Sequence, residues 1–306
     1  MTMRWFWSLV LTLVAAGVTA AQTADIKVDF ETGDSGAYTL ARLITLTQQP
    51  EGAAPSTRTI NHVAGVTLTV DSISDKGVLS VSLRFNSLMI AMTADGGPEM
   101  TYRGDGDRPA IASDDTLKAL GDALRRGRLT YNVSPEGEIT TVRGLNEFEA
   151  EVAKQETYDR ADLLGFFSED ALPGMLAPLY QADGASKAAR TVGRGWQDVE
   201  TVALPPVAAV DVTTDWRLEA VANNTATMKG TIGFELRTAP NPPEDAPGLA
   251  LRDAGGTTQL VWDLEKNELL NRVSSQNLTT VWTLGSTTLV QKQTVRIMQM
   301  RAEKQN

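Results

Sequence analysis

The 306-residue chain contains no cysteine and a single histidine, His62. The absence of cysteine excludes disulfides, zinc–thiolate sites, cysteine nucleophiles and the lipidated cysteine of a bacterial lipoprotein. Zinc binding through imidazole is not expected either, because such a site needs several histidines. Small exported domains often depend on disulfides, whereas a domain of this length buries enough surface to fold without them.

Basic residues are fewer than acidic ones, with 28 lysines and arginines against 38 aspartates and glutamates, which gives a formal net charge of −10. No run of basic residues stands out against this acidic background, so nucleic acid is not an expected partner. The sequence also lacks a phosphate-binding loop and a dinucleotide fingerprint. We therefore expect no cofactor and no metal, and an acidic surface that keeps the protein in solution.

Long apolar runs are confined to the N-terminus, where Arg4 precedes an apolar stretch of about 14 residues, Trp5–Val18. Small residues then follow at Thr19–Ala21. This order predicts a signal peptide over residues 1–21, export to the periplasm or the extracellular space, and a mature chain of residues 22–306. The apolar stretch is shorter than the ~20 residues of a spanning helix, so an uncleaved anchor is the weaker alternative and no stable transmembrane span is expected after cleavage.

Alternation of apolar and polar residues dominates the rest of the chain and predicts β-strands with one polar face, as in antiparallel sheets. The apolar phases are Ile26, Val28 and Phe30; Tyr38, Leu40, Ile44 and Leu46; Val66, Leu68 and Val70; Leu79, Val81, Leu83 and Phe85; Val210, Val212, Trp216, Leu218 and Ala220; and Met228, Ile232, Phe234 and Leu236. We expect a mainly β fold (a β-rich α+β class) with a large curved antiparallel sheet.

The alternation fails at Leu88–Met92, where five apolar or small residues follow one another. Two explanations remain open from the sequence. Either both faces of the sheet are covered at this point, or a β-bulge near Asn86 and Ser87 shifts the phase of the strand.

Two segments have the pattern of helices. Ser113–Asp115 provides capping and acidic residues before an apolar spacing at Leu117, Leu120 and Leu124, and Gly127 provides a stop. The second segment, a helical insert at about residues 145–182, begins with an apolar stripe and is broken into short pieces by Pro173 and Pro178.

We expect this insert to cover one face of the sheet within a single β-rich domain, residues 22–306. That domain has possible halves at residues 22–112 and 113–306.

The segment RLTYNVSPEGEITTVRG, residues 128–144, lies between the two helical segments. It resembles a family of exported bacterial proteins known only as a domain of unknown function. The resemblance implies a large antiparallel sheet with a helical insert. That architecture is similar to periplasmic lipoprotein-carrier-like β folds, in which helices close an apolar cavity. The resemblance implies no catalytic residues.

Nucleophilic catalysis has weak support in the sequence. Gly33–Gly36 has the Gly-Asp-Ser-Gly sequence of the nucleophile loop of trypsin-like proteases. Here, however, Ser35 precedes His62, whereas in that family the histidine comes before the serine. Gly-Asp-Ser-Gly is also ordinary turn chemistry. We therefore expect a turn at Gly33–Gly36 and a structural His62 on a strand, with a local hydrogen bond.

Clustered carboxylates are the remaining candidates for chemistry. Asp105 and Asp107 with Asp114 and Asp115 supply oxygen ligands of the type that calcium uses, without the full calcium-loop spacing, so an exposed loop and a helix cap are expected. Asp215 and Asp263 each flank a tryptophan, which is compatible with a sugar site but more typical of a β core.

The densest apolar stretch outside the strands is the candidate lid of a ligand site. Its residues are Leu163, Leu164, Phe166, Phe167, Met175, Leu176, Leu179 and Tyr180. Such elements close apolar sites in β folds. The alternatives are a helical layer that fills one face of the sheet with no space left, and a patch for a partner or a membrane surface.

Three functions follow in order of preference. The first is a non-enzymatic exported protein that binds an apolar small molecule or lipid-like ligand between the sheet and the helical insert. The second is a structural or interaction module that binds other envelope proteins through sheet edges. The third is a carboxylate-based hydrolase, which requires two acids about 5–10 Å apart in a cleft.

Overall fold

The structure is a computed structural model that describes residues 22–26, 28–106, 108–154, 167–168, 171–181, 189–204, 207–238 and 246–302. The predicted signal segment lies outside the described residues. The strands are β1 (Thr23–Ala24), β2 (Ser35–Pro50), β3 (Ser56–Ile73), β4 (Leu79–Ala94), β5 (Met100–Asp105), β6 (Ile111–Ala112), β7 (Arg128–Val133), β8 (Ile139–Arg143), β9 (Arg190–Thr191), β10 (Gly195–Leu204), β11 (Ala208–Ala222), β12 (Thr225–Thr238), β13 (Gly248–Asp263), β14 (Glu268–Leu284) and β15 (Thr287–Arg301). The helices are α1 (Asp115–Arg126), α2 (Asn146–Ala153), α3 (Ala171–Leu176) and a 3-10 helix (Ala177–Leu179).

One open antiparallel sheet contains thirteen of these strands, which confirms the predicted fold class. Eleven of them follow the order β10-β11-β12-β13-β14-β15-β2-β3-β4-β5-β6, and β7 and β8 branch from β4, while β1 and β9 form a separate pair. Because β15 pairs with β2, the first and last long strands of the described chain are neighbours. Most connections are tight hairpins, such as the Asn223-Asn224 turn between β11 and β12, where both residues have the positive φ that a primed turn requires.

The outer edge of β4 forks. Leu79–Arg84 pairs with β7, which in turn pairs with β8, whereas Ser87–Met92 pairs with β5. The fork opens at Asn86, the one residue of β4 that is skipped in the register with β3. This is the predicted bulge, and it brings Phe85 and Leu88 to the same buried face although they are three positions apart.

One face of the sheet carries the main core and is called the core face here. Residues that pair across antiparallel strands share a face, so the register places Leu40, Ala64 and Leu88 side by side, each at most 1% exposed. The alternation therefore assigned the core face correctly along most of β2, β3, β4, β11 and β12. The opposite face is called the outer face.

Two predicted strand phases are wrong. Ala220 does not share a face with Leu218, because a register shift between them pairs Ala220 with Thr227 and leaves it exposed. The described residues from Asp25 to Asp34 contain no strand. Ile26 is buried, and Val28 and Phe30 pack against the core from an irregular segment. Alternation alone did not distinguish this segment from a strand, since both bury every second side chain.

The helices cover part of the core face. Asp114 caps α1 by accepting a hydrogen bond from the Leu117 backbone N–H at 2.8 Å, as predicted from the sequence. The predicted stripe of Leu117, Leu120 and Leu124 is buried, and α1 packs on β4, β5 and α2. A Cβ at Gly121 would overlap the Tyr102 ring, so the absence of a side chain lets α1 approach β5 closely.

The predicted insert is present as short pieces. Leu145, Phe148 and Val152 form the buried stripe of α2, and Pro173 and Pro178 lie in α3 and the 3-10 helix. No helix within the described ranges has the length and apolar character needed to cross a bilayer.

Candidate functional site

A cavity of about 740 Å³ lies between the core face and the 3-10 helix. Strands β2, β3, β4 and β14, the end of β15, the 3-10 helix and the segment before β2 all contribute to its lining. The lining residues are Asp29, Phe30, Asp34, Ser35, Gly36, Tyr38, Leu68, Val70, Val81, Leu179, Tyr180, Lys266, Glu268, Leu270, Arg301 and Ala302. Its volume falls within the range of small-molecule sites in proteins.

The wall of the cavity formed by β3 and β4 is apolar. Leu68, Val70 and Val81 are core-face residues of these strands, and Val70 and Val81 are directly paired across them. Leu179 and Phe30 face this wall from the 3-10 helix and the segment before β2. The alternation of the strands therefore produces this wall, and the insert encloses it.

The other end of the cavity is charged. Arg301 at the end of β15 forms an ion pair with Glu268 at 3.1 Å, and both side chains are largely withdrawn from solvent. The guanidinium also lies over the Tyr38 ring, 4.9 Å from its centroid. Gly36 makes this arrangement possible, because a Cβ there would collide with the Arg301 guanidinium.

Buried tyrosines line and support the cavity. Burial raises the pKa of Tyr38 to about 12, with smaller effects from Arg301 and Glu268. Tyr131 and Tyr180 share a hydrogen bond between their hydroxyls at 2.6 Å, and burial raises the pKa of both phenols. These groups are therefore neutral hydrogen-bonding groups at physiological pH rather than proton-transfer groups.

The structure places the predicted lid residues as follows. Leu179 and Tyr180 line the cavity, while Met175 and Leu176 are buried in the core cluster without lining it. Phe167 is fully buried, with its ring edge-on to His62, Phe85 and Phe148. Leu163, Leu164 and Phe166 lie outside the described residues. Within the described part of the insert, the C-terminal end lines the cavity.

His62 lies on β3 beside Arg42 of β2 and is 1% exposed. Desolvation, with a contribution from the Arg42 charge, lowers its pKa to about 3. The imidazole is therefore neutral throughout the physiological range. Ser35 donates a hydrogen bond to the Leu68 carbonyl at 3.1 Å, and Gly33 takes a positive φ in the turn before it. The predicted turn at Gly33–Gly36 is confirmed in part, because Gly33 and Asp34 belong to the turn, whereas Ser35 and Gly36 begin β2.

The carboxylate candidates have local structural roles. Asp114 is the cap of α1, Asp105 lies 4.0 Å from Arg108, and Asp107 is outside the described residues. Asp215 accepts a hydrogen bond from Gln197, and Asp263 accepts backbone N–H bonds in the β13–β14 turn. No group of three or more potential metal-ligating side chains occurs in the described part of the chain.

The tryptophans next to these acids belong to the core. Trp262 is fully buried, and Trp216 stacks on Trp196 with ring centroids 6.4 Å apart. Neither ring presents an open platform of the kind that a sugar site uses.

The charged end of the cavity was not predicted from the sequence. Arg301 and Glu268 are separated by more than 30 residues, and nothing in either local pattern connects them. Their strands meet because β14 and β15 form a hairpin, and the pairing of Asn271 with Met300 brings their ends together. The one local signal of this site is the Gly-Ala-Tyr sequence at Gly36–Tyr38, because a glycine within a strand often marks a point where another group approaches the backbone closely.

Comparison with known proteins gives few matches. No protein-family model and no curated protein matches the chain, so the resemblance to an exported bacterial family stays a prediction. Among solved structures, lipovitellin, in a study of lipid–protein interactions, is similar over 90% of this chain and 26% of the lipovitellin chain, with 8% identity and a TM-score of 0.44. OccK5 (OpdH) of Pseudomonas aeruginosa matches 88% of this chain and 99% of its own, with 6% identity and a TM-score of 0.24. These scores are low, so the proposals below do not rest on either likeness.

Proposed function

We propose that this chain is a non-enzymatic protein that binds an apolar or lipid-like ligand in the cavity between the core face and the 3-10 helix. The supporting observation is the division of one cavity into an apolar wall and a charged end. Leu68, Val70 and Val81 form the wall, and Arg301 and Glu268 form the charged end. An amphiphile with one tail and one polar head matches this division.

The polar head of such a ligand would lie at the charged end, near Lys266 and Arg301. Both cations line the cavity, and each already has a carboxylate neighbour, Asp263 at 4.0 Å and Glu268 at 3.1 Å. A head group with both donors and acceptors, or a carboxylate shared between the two cations, fits such a mixed site. The tail would extend along the apolar wall toward Leu179.

Binding of a dansyl-labelled undecanoic acid tests this proposal. Leu270 is half-buried at the cavity, so Leu270→Trp introduces an indole into the ligand space and is expected to weaken binding about tenfold or more. Leu43→Trp is the matched control, because Leu43 is half-buried on the outer face of β2 and leaves the cavity unchanged. Fluorescence titration without saturation, or equal binding by both variants, would contradict the proposal.

We also propose that the chain is exported and acts in the periplasm or outside the cell, on the basis of its N-terminal charge, apolar stretch and small residues. N-terminal sequencing of the protein from a periplasmic fraction tests this point. A first residue of Gln22 or Ala21 supports it. Recovery of the intact N-terminus from the cytoplasm contradicts it.

A second candidate function, binding of an extended strand from another envelope protein, has one specific observation in its favour. Strand β10 is the edge of the sheet, and Val199 and Val202 on it are 52% and 42% exposed. Exposed apolar edge strands are templates for strand addition. A photo-crosslinker at Gln197 on this edge should give a discrete adduct in cells. The same group at exposed Lys229 on β12 is the control, and adducts of equal yield at both positions would count against this function.

A further inference from the structure

A groove of about 1090 Å³ lies at the fork of β4, with its strand floor on the outer face. Among the described residues that line it, six are cationic and one is acidic, in a protein whose net charge is −10. The cationic residues are Arg84, Arg108, Lys118, Arg125, Arg126 and Arg128. We call this set of residues, together with the polar floor, the fork groove.

Ion pairs within the groove account for three of the six cations. Lys118 contacts Asp122 at 2.5 Å, Arg128 contacts Asp71 at 3.3 Å, and Arg108 lies 4.0 Å from Asp105. Among the residues that the structure describes, the other three cations, Arg84, Arg125 and Arg126, have no carboxylate in ion-pair contact.

The positions of two of these three cations are explained by their place in helix α1. Arg125 and Arg126 occupy the last turn of α1, where positive charge is favoured by the helix dipole. Arg125 also donates a hydrogen bond to the Gly106 carbonyl. Arg84 has no comparable role, because it is an exposed residue in the middle of a strand.

Arg84 is in fact placed unfavourably for the fold. The register of β4 and β7 puts it directly opposite Arg128. Like charges at directly opposed positions of antiparallel strands are destabilising. Asp71 already neutralises Arg128, so an anion beside Arg84 would offset the remaining repulsion, and the register gives a reason to expect a ligand there.

The floor of the groove adds neutral polar groups. Thr67 and Thr69 are outer-face residues of β3, and Asn86 at the bulge donates to the Thr67 hydroxyl at 2.8 Å, whereas the Ser82 hydroxyl already donates to Asp71. Guanidinium groups with adjacent hydroxyls match the tetrahedral oxygens of phosphoryl groups, which arginine binds in a bidentate manner. The volume is larger than one phosphate requires.

We propose that the fork groove binds an anionic ligand that carries two or more phosphoryl groups, either free in solution or at the surface of a phospholipid membrane. This site is separate from the cavity, although the two share strands. Thr67 and Thr69 face the groove, whereas Leu68 and Val70 of the same strand face the cavity. Substitutions in one site therefore leave the lining of the other unchanged.

Calorimetric titration of the purified protein with sodium tripolyphosphate tests the soluble arm of the proposal. The double variant Arg84→Gln, Arg126→Gln should bind at least about tenfold more weakly. The control Arg252→Gln, Lys292→Gln removes the same charge from exposed positions on β13 and β15 and should retain the wild-type affinity. Thermal unfolding without ligand should show that Arg84→Gln alone is at least as stable as wild type, because it removes the repulsion from Arg128.

Flotation with vesicles of phosphatidylcholine, with and without phosphatidic acid, tests the membrane arm. Binding of tripolyphosphate that depends on Arg84 and Arg126 supports the proposal with a soluble ligand. Binding that is confined to phosphatidic acid vesicles and has the same dependence supports it with a membrane ligand. No binding in either arm, or equal losses in the control variant, overturns it.

Discussion

Two regions of the same sheet contrast in what covers them. In the region of β2, β3 and β4, the core-face residues Leu40, Ala64 and Leu83 are at most 1% exposed. In β11 and β12, Leu218 and Met228 are just as buried, but the core-face residues Val212 and Phe234 farther along the same strands are only half-buried, although they alternate with the same period. The described helices make their main strand contacts with β4, β5, β6, β8 and β14. The alternation of residues thus determines which face of the sheet is apolar. The elements that pack on that face determine which part of it is buried.

At neutral pH, the largest expected effect is a difference in the cost of the same substitution in the two regions. Leu83→Ala removes a fully buried side chain and should lower the free energy of unfolding by about 3 kcal/mol. Leu236→Ala removes a half-buried leucine on the core face of β12 and should cost about 1 kcal/mol. Urea denaturation measures both, and equal losses would mean that the two regions are packed alike.

His62 allows the covered region to be tested by pH. Its folded-state pKa of about 3 lies below its unfolded value of 6.5, so the unfolded chain binds the extra proton first. Stability should therefore fall as the pH drops from 6.5 toward 3, by an amount on the order of 4 kcal/mol relative to His62→Gln.

The same prediction has a direct spectroscopic check, because His62 is the chain's only histidine. Its imidazole NMR resonance should not move between pH 7 and pH 5. A titration midpoint near 6.5 would show that water reaches β3 beneath the helices, and would remove the contrast between the two regions.

Removal of the ion pair at the charged end of the cavity should have a smaller effect on the free energy of unfolding. Glu268→Gln leaves Arg301 without its carboxylate in a site that is only partly exposed, which should cost about 2 kcal/mol. Glu235→Gln on exposed β12 is the control and should be nearly neutral. Chemical denaturation of both variants gives the comparison. A neutral Glu268→Gln would indicate that solvent screens the ion pair and that the cavity is open at this end.

The smallest expected effect concerns the tyrosines behind the cavity. Tyr131→Phe leaves the buried Tyr180 hydroxyl without its partner and should cost about 1 kcal/mol. The double variant Tyr131→Phe, Tyr180→Phe should cost less than the sum of the two single changes, since no unsatisfied hydroxyl remains. Strict additivity in this double-mutant cycle would contradict the hydrogen bond.

The sequence allowed most of the sheet to be predicted because antiparallel strands with one dry face carry their orientation in alternate residues. The break in the alternation at Leu88–Met92 left two explanations open, a bulge near Asn86 and Ser87 or coverage of both faces, and the register with β3 decides for the bulge. The bulge between Leu218 and Ala220 escaped detection because Ala220 is small enough to fit either face. The cap at Asp114 was predictable because it depends on residues only three positions apart.

The charged end of the cavity and the fork groove were not predictable in the same way. Arg301 and Glu268 meet through strand pairing. The groove draws Arg84 from β4, Lys118 and Arg126 from α1, and Arg128 from β7. The sequence showed the arginines around Gly127 only as the end of a helix. Sites that depend on long-range strand register have no local sequence pattern. The net negative charge of the chain also gives no indication that basic residues from separate elements cluster in the folded protein.

Native mass spectrometry of the protein purified without detergent tests the central claim most directly. If an apolar ligand occupies the cavity beneath the 3-10 helix, the wild-type protein and Leu43→Trp should carry an additional mass in the range of a lipid or fatty acid. Leu270→Trp should lose that mass. Wild-type protein that is free of any adduct, and remains so after incubation with fatty acids, would contradict the account.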